Sequence, residues 1–208
     1  MRHVFIHIPH TGGTSAKHYL HSHPHFPCVI DSPYRVRTPD GLHLSHERTL
    51  ASVEAKGAKA IFVLRHPADR LIGALNYNIS KGKTFRNLLR EYKRNSSANV
   101  IEYLISIGKL EEVCSNMFKQ TTVKFWQHEY IGDCDIALHD FILFPDLNAD
   151  FPSLLGSRVP FPHLNKGNGK VPPIDLAGLI TRLGYKDDYL KDLELYTRAS
   201  LVKRRERI

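Results

Sequence analysis

The chain has 208 residues, carries a formal net charge of +8 with histidines neutral, and is 42% hydrophobic. That length buries a core without disulfide or metal staples, and that apolar content excludes a disordered chain. No apolar run approaches the roughly 20 residues that a bilayer-spanning helix needs, so no membrane span is expected.

The N-terminus, Met1-Arg2-His3-Val4-Phe5, enters an apolar, β-prone run at once and shows no secretory signal pattern. The 3 cysteines are widely spaced, which fits reduced thiols and a cytoplasmic setting. Phe5-Ile6-His7-Ile8 reads as a strand, Pro9 breaks it, and Gly12-Gly13 leads through Thr14-Ser15 into a helix that continues along Ala16-Lys17-His18-Tyr19-Leu20. Strand, glycine turn and helix start form a phosphate cradle: glycines let the backbone approach an anion, and the unpaired helix amides face it. Thr14 and Ser15 are expected to cap the helix and to offer hydroxyl donors. A Walker A loop is excluded, because no lysine precedes Thr14 and Lys17 lies beyond the turn. The plain alternative is a capped strand–turn–helix with no ligand.

His18, His21, His23 and His25, with Cys28 nearby, have spacings that can supply zinc ligands, but Pro24 and Pro27 interrupt them. The stretch reads as an irregular surface loop. A helix is expected over 46–56, followed by the strand Ala60-Ile61-Phe62-Val63-Leu64, a continuous apolar run of the kind buried on both sheet faces. Arg65 follows at the strand's carboxyl end, where open α/β sheets bind ligands, and Pro67 suits the first turn of the next helix. Arginine's planar, always-charged fork grips phosphate in bidentate fashion. The alternative is that Arg65 and Arg70 pair with Asp69 or are solvated.

Helical spacing recurs over 85–92 and 100–105, broken by Asn95-Ser96-Ser97. Arg86, Arg90, Lys93 and Arg94 read as a solvated helix face, and Trp126 as a core residue. Phe141-Ile142-Leu143-Phe144 reads as another buried strand, with a helix near 151–155. The Gly-, Pro- and Lys-rich stretch 156–173 reads as a flap that carries His163, Asn165 and Lys166. Lys203-Arg204-Arg205-Glu206-Arg207 reads as a cation-rich helix C-terminus that complements the helix dipole. No aromatic residues interleave with it, so no specific nucleic-acid interface is expected.

Ile8-Pro9-His10-Thr11-Gly12-Gly13-Thr14-Ser15 resembles the P-K-T-G-G-T-S loop of carbohydrate sulfotransferases of the heparan-sulfate 2-O type, which use 3′-phosphoadenosine-5′-phosphosulfate (PAPS). Val63-Leu64-Arg65-His66-Pro67-Ala68-Asp69-Arg70-Leu71 resembles that family's L-R-D-P-x-x-R segment. Leu42-His43-Leu44-Ser45 resembles its catalytic-histidine segment, Pro162-His163-Leu164-Asn165-Lys166-Gly167 its late P-H-x-N loop, and Asp192-Leu193-Glu194-Leu195-Tyr196 its closing D-x-x-L-Y helix. The matches keep the family's order along nearly the whole chain.

The resemblance implies a single α/β domain over 1–208, with a mostly parallel central sheet flanked by helices in the P-loop-like sulfotransferase architecture. It implies a PAPS site made of Pro9, His10, Thr11, Gly12, Gly13, Thr14, Ser15, Arg65, Gly73, His163, Asn165 and Lys166. The first loop would hold the 5′-phosphosulfate and Arg65 the 3′-phosphate. His43 would be the catalytic base toward an acceptor hydroxyl on a saccharide, with His46 and Glu47 as alternatives. His10 would reach the bridging oxygen as sulfate leaves. Two positions depart from the pattern: His10 stands where the family has lysine, and Gly73 where it has a serine that touches the 3′-phosphate. Both departures keep open a non-catalytic binder of PAPS or of its product PAP. A third reading, a nucleotide-dependent phosphoryl-transfer enzyme, lacks its loop lysine.

Overall fold

A computed structural model describes residues 3–23, 28–31, 50–55, 57–81, 100–119, 125–162 and 175–206. Its strands are β1 (His3–Ile6), β2 (Cys28–Asp31), β3 (Lys59–Leu64) and β4 (Asp140–Leu143). They form one sheet in the order β2-β1-β3-β4, and every pairing is parallel. The described helices are α1 (Gly13–His21), α2 (Leu50–Glu54), α3 (Pro67–Lys81), α4 (Val100–Ser106), α5 (Leu110–Phe118), α6 (His128–Ile131), α7 (Leu147–Leu154), α8 (Leu176–Arg182) and α9 (Lys186–Glu206).

Alternation along the strands sends neighbouring side chains to opposite faces of the sheet. Phe5, Ile61, Val63 and Ile142 pack on one face with Ala16, Tyr19 and Leu20 of α1 and with Leu147 and Phe151 of α7. Val4, Ile6, Phe62, Leu64, Phe141 and Leu143 pack on the other, with Leu50 and Val53 of α2, Tyr130 and Ile131 of α6, and Leu195 and Ala199 of α9. Because both faces are covered, these strands read as continuous apolar runs, and the α/β expectation is met. A third cluster joins Leu71, Ala74 and Leu75 of α3 to α4, α5 and α8 and includes Trp126, which is buried as expected.

Two local expectations change. β2 begins at Cys28, the last residue of the stretch read as irregular loop, and α1 runs one residue past Leu20, to His21. The helix expected near 151–155 starts earlier, at Leu147, and contains Pro152. The expected C-terminal helix runs from Lys186 to Glu206, and its last turn carries Lys203, Arg204 and Arg205. No helix among the described residues is long and apolar enough to cross a membrane.

The sheet order positions the site. From β1 the chain goes to β2 on one side, then returns to β3 on the other side of β1. That reversal leaves a crevice between the carboxyl ends of β1 and β3, the place where open α/β sheets take ligands. The glycine turn follows β1 there, and Arg65 follows β3.

Candidate functional site

After β1 the backbone turns tightly. Ile8 N donates to Ile6 O at 3.2 Å, and Thr11 Oγ1 donates to Ile8 O at 2.8 Å. His10 and Gly12 both adopt the left-handed region, with φ of 64° and 89°. Glycine takes that conformation without cost, whereas His10 is held there by its surroundings. A Cβ on Gly12 would lie 2.9 Å from Leu147 Cδ2, and one on Gly13 only 1.9 Å from His7 Cδ2. Close packing against His7 thus calls for glycine at 13, and the left-handed backbone favours it at 12.

The helix cap differs from the sequence expectation. Gly12 is the N-cap residue of α1 and, lacking a side chain, makes no side-chain cap hydrogen bond of its own. Thr14 and Ser15 lie inside the first turn, Thr14 exposed and Ser15 buried. The helix dipole points its positive end at the crevice.

Arg65 meets this turn from β3. Its Nη1 donates to the His10 carbonyl at 3.3 Å, and its guanidinium carbon lies 4.1 Å from the centroid of the Phe144 ring. Burial lowers its pKa, yet an arginine so placed stays charged at neutral pH. Its Nε is buried and has no hydrogen-bond partner among the described residues. Gly73, one of the expected ligand-binding positions, makes room for this cation: a Cβ there would lie 2.7 Å from Arg65 Nη1.

His10 sits between the arginines. Its ring packs edge-on against Tyr77 with centroids 5.5 Å apart. Its pKa falls to about 3, first through burial, then through Arg70, His7 and Arg65. The imidazole is therefore neutral near neutral pH and supplies hydrogen bonding rather than charge.

Arg70 behaves differently from Arg65. It is 1% exposed, its Nε donates to Pro9 O at 2.9 Å, and its Nη2 donates to Phe125 O. Its Nη1 lies 3.7 Å from Asp192 Oδ2, so its ion-pair partner is Asp192 of α9 and not Asp69. Asp192 is fully buried and also accepts from Gln127 N at 3.0 Å, His128 N at 2.8 Å and His128 Nδ1 at 2.9 Å. Gln127 then grips the Arg65 main chain, accepting from its N at 2.9 Å and donating to its O at 2.8 Å. Further along α9, Tyr196 packs edge-on against His66, with centroids 5.5 Å apart.

The structure thus brings Pro9, His10, Thr11, Gly12, Gly13, Thr14, Ser15, Arg65 and Gly73 to one crevice. His43, His46, Glu47, His163, Asn165 and Lys166 lie outside the described residues. Sequence reasoning missed Gln127 altogether and placed Asp192 only within the closing helix. The signal for Asp192 was available: an acid in register with Leu195 and Ala199 on the buried stripe of a helix needs a buried partner.

A separate cleft of about 250 Å³ is lined by His139, Asp140, Asp150, Ser153 and Lys203, among others. It includes the amino end of β4, at the opposite end of the parallel strands from Arg65. Among the described residues no group of three His, Cys, Asp or Glu side chains is set to hold a metal ion; His25 and the Cys28 side chain lie outside them.

The crevice joins a glycine turn, a helix start and an arginine fork, which together suit a phosphorylated anion. No family model, no curated protein and no solved structure matches the chain.

Proposed function

We propose that the chain is a sulfotransferase of P-loop-like architecture that moves a sulfuryl group from PAPS to a hydroxyl on a carbohydrate acceptor. The observation that carries this reading is the Arg65–His10 contact, which ties the cation after β3 to the glycine turn after β1 at the point where the sheet order reverses. Two anion-binding elements at one crevice favour a ligand with two phosphorylated ends, as in PAPS. The motif order described above supports the same class, and a cytoplasmic setting goes with it.

In this reading the amides of Gly12 to Ser15 cradle the 5′-phosphosulfate, and Arg65 takes the 3′-phosphate. His43 accepts the proton of the acceptor hydroxyl as its oxygen forms the new S–O bond. The bond from sulfur to the bridging oxygen breaks in line, and His10 donates a hydrogen bond to that oxygen. His163, Asn165 and Lys166 are the further residues that the family resemblance assigns to the nucleotide. Sulfuryl transfer resembles phosphoryl transfer in its loose, in-line transition state, so catalysis rests on positioning and on stabilising the leaving charge.

A second reading, a binder of PAPS or PAP without turnover, is favoured by the burial of His10, which leaves the loop without a cation. Incubation with sulfur-labelled PAPS and a panel of saccharides separates the two. Label in a saccharide with matching PAP release supports transfer; bound PAPS with neither product supports the binder. Turnover of ATP that depends on Mg²⁺ would instead support phosphoryl transfer.

A further inference from the structure

We infer that Gln127 and Asp192 are positioning residues of the anion site, holding the glycine turn and Arg65 in register from behind the sheet. The inference rests on the reading of that crevice as an anion site, and it concerns residues that touch no ligand.

The pairing of β3 with β4 runs to Leu64 opposite Leu143. One residue farther on, the Arg65 N–H and C=O would need another partner. Gln127, 0% exposed, supplies both with one side chain, accepting at 2.9 Å and donating at 2.8 Å. A primary amide reproduces the donor–acceptor pair of a neighbouring strand, so the ladder is continued by one residue at the place where the cation must be aimed.

Gln127 is in turn fixed by Asp192, whose Oδ2 accepts its main-chain N–H at 3.0 Å. The same oxygen faces Arg70 Nη1 at 3.7 Å, and Arg70 Nε holds the Pro9 carbonyl at 2.9 Å. One buried carboxylate therefore governs two branches. The first ends on the Arg65 main chain, the second on the residue before His10. Asp192 is carried by α9, a helix whose Leu195 and Ala199 pack in the core, so both branches start from a rigid element. Buried ion pairs add little net stability compared with apolar packing, and their best-attested use is to fix a unique arrangement. Here the arrangement they fix is the spacing of the two anion-binding loops.

The test compares Gln127→Met, which keeps length and apolar volume but loses both hydrogen bonds, with Asp140→Asn as a control. Asp140 pairs with His3 and Lys59 at the amino ends of the strands, away from Arg65. Expected in Gln127→Met are PAP binding weakened about tenfold or more, faster hydrogen exchange at the Arg65 amide, and shifted His10 ring resonances. Asp140→Asn should leave all three within about twofold of wild type, whatever its melting temperature. Gln127→Glu provides a second variant in case Gln127→Met does not fold. Its protonated carboxyl can restore both hydrogen bonds, so its PAP affinity should recover toward acid pH relative to wild type.

Wild-type affinity and unchanged Arg65 exchange in Gln127→Met would overturn the inference while leaving the site reading intact. An equal loss of affinity in Asp140→Asn would overturn it too, since general destabilisation would then explain the effect. If the wild type shows no preference for PAP, the functional reading falls. The Arg65 exchange rate and the His10 resonances then decide the positioning role alone.

Discussion

Arg65 Nη1 donates to the main-chain carbonyl of His10 at 3.3 Å, so the cation that follows β3 is tied to the turn that follows β1. The guanidinium reaches that carbonyl by lying across Gly73, with Phe144 against its face. Its position is set by a side chain that is absent at residue 73 as much as by the residues it touches.

Two glycines should therefore respond differently to alanine. A methyl at Gly13 would lie 1.9 Å from the buried His7 ring, with no room to yield. We expect Gly13→Ala to cost about 1–3 kcal/mol through overpacking. At Gly73 the obstructing atom is the tip of a flexible arginine, and alanine improves the propensity of α3 by about 1 kcal/mol, so Gly73→Ala should be close to neutral. Urea unfolding of both variants checks the contrast, and equal losses would contradict the packing described.

The two arginines should also separate. Arg65→Ala keeps the Gln127 hydrogen bonds to its main chain and should leave the fold nearly intact. It should weaken PAP binding by about 1.5–3 kcal/mol, the scale of a charge-assisted phosphate contact. Arg70→Met removes the partner of fully buried Asp192 and should destabilise the protein by about 3–5 kcal/mol. Calorimetry and thermal melting distinguish these outcomes; a stable Arg70→Met protein would contradict the structural role of Arg70.

His10 gives a signed pH dependence. Its pKa is about 3 in the folded chain against 6.5 unperturbed, so below 6.5 the unfolded chain takes up a proton that the folded chain refuses. Stability from this group is complete above about pH 6.5 and is lost as pH falls toward 3, with a slope of at most about 1.4 kcal/mol per pH unit. Asparagine tolerates positive φ, so His10→Asn should flatten the profile. Melting curves between pH 4 and 7 test this, and parallel profiles would show that His10 titrates normally.

His10→Lys places a third cation beside Arg65 and Arg70. We expect it to lower the stability of the unliganded protein by about 1–2 kcal/mol through like-charge repulsion and to raise affinity for PAP. Lower affinity for PAP in a folded His10→Lys protein would count against an anion at that loop.

Much of the frame was legible because strands covered on both faces leave uninterrupted apolar runs, as Ala60–Leu64 and Phe141–Leu143 do. The glycine turn was legible because Gly12-Gly13 between a strand and a helix has few other uses. β2 was not, since its short Cys28-Val29-Ile30-Asp31 segment follows closely on a proline- and histidine-rich stretch. Gln127 left no signal: its role arises only when folding sets it behind Arg65. The charge state of His10 was equally hidden, because sequence names an imidazole but not the burial and the two arginines around it.

Calorimetric titration with PAP, ADP and ATP in metal-free buffer is the most direct test of the central claim. The account predicts PAP-selective binding, with a preference over ADP that Arg65→Ala removes. Equal binding of the three nucleotides, or none at all, would contradict a 3′-phosphate site at Arg65 and the sulfotransferase reading built on it.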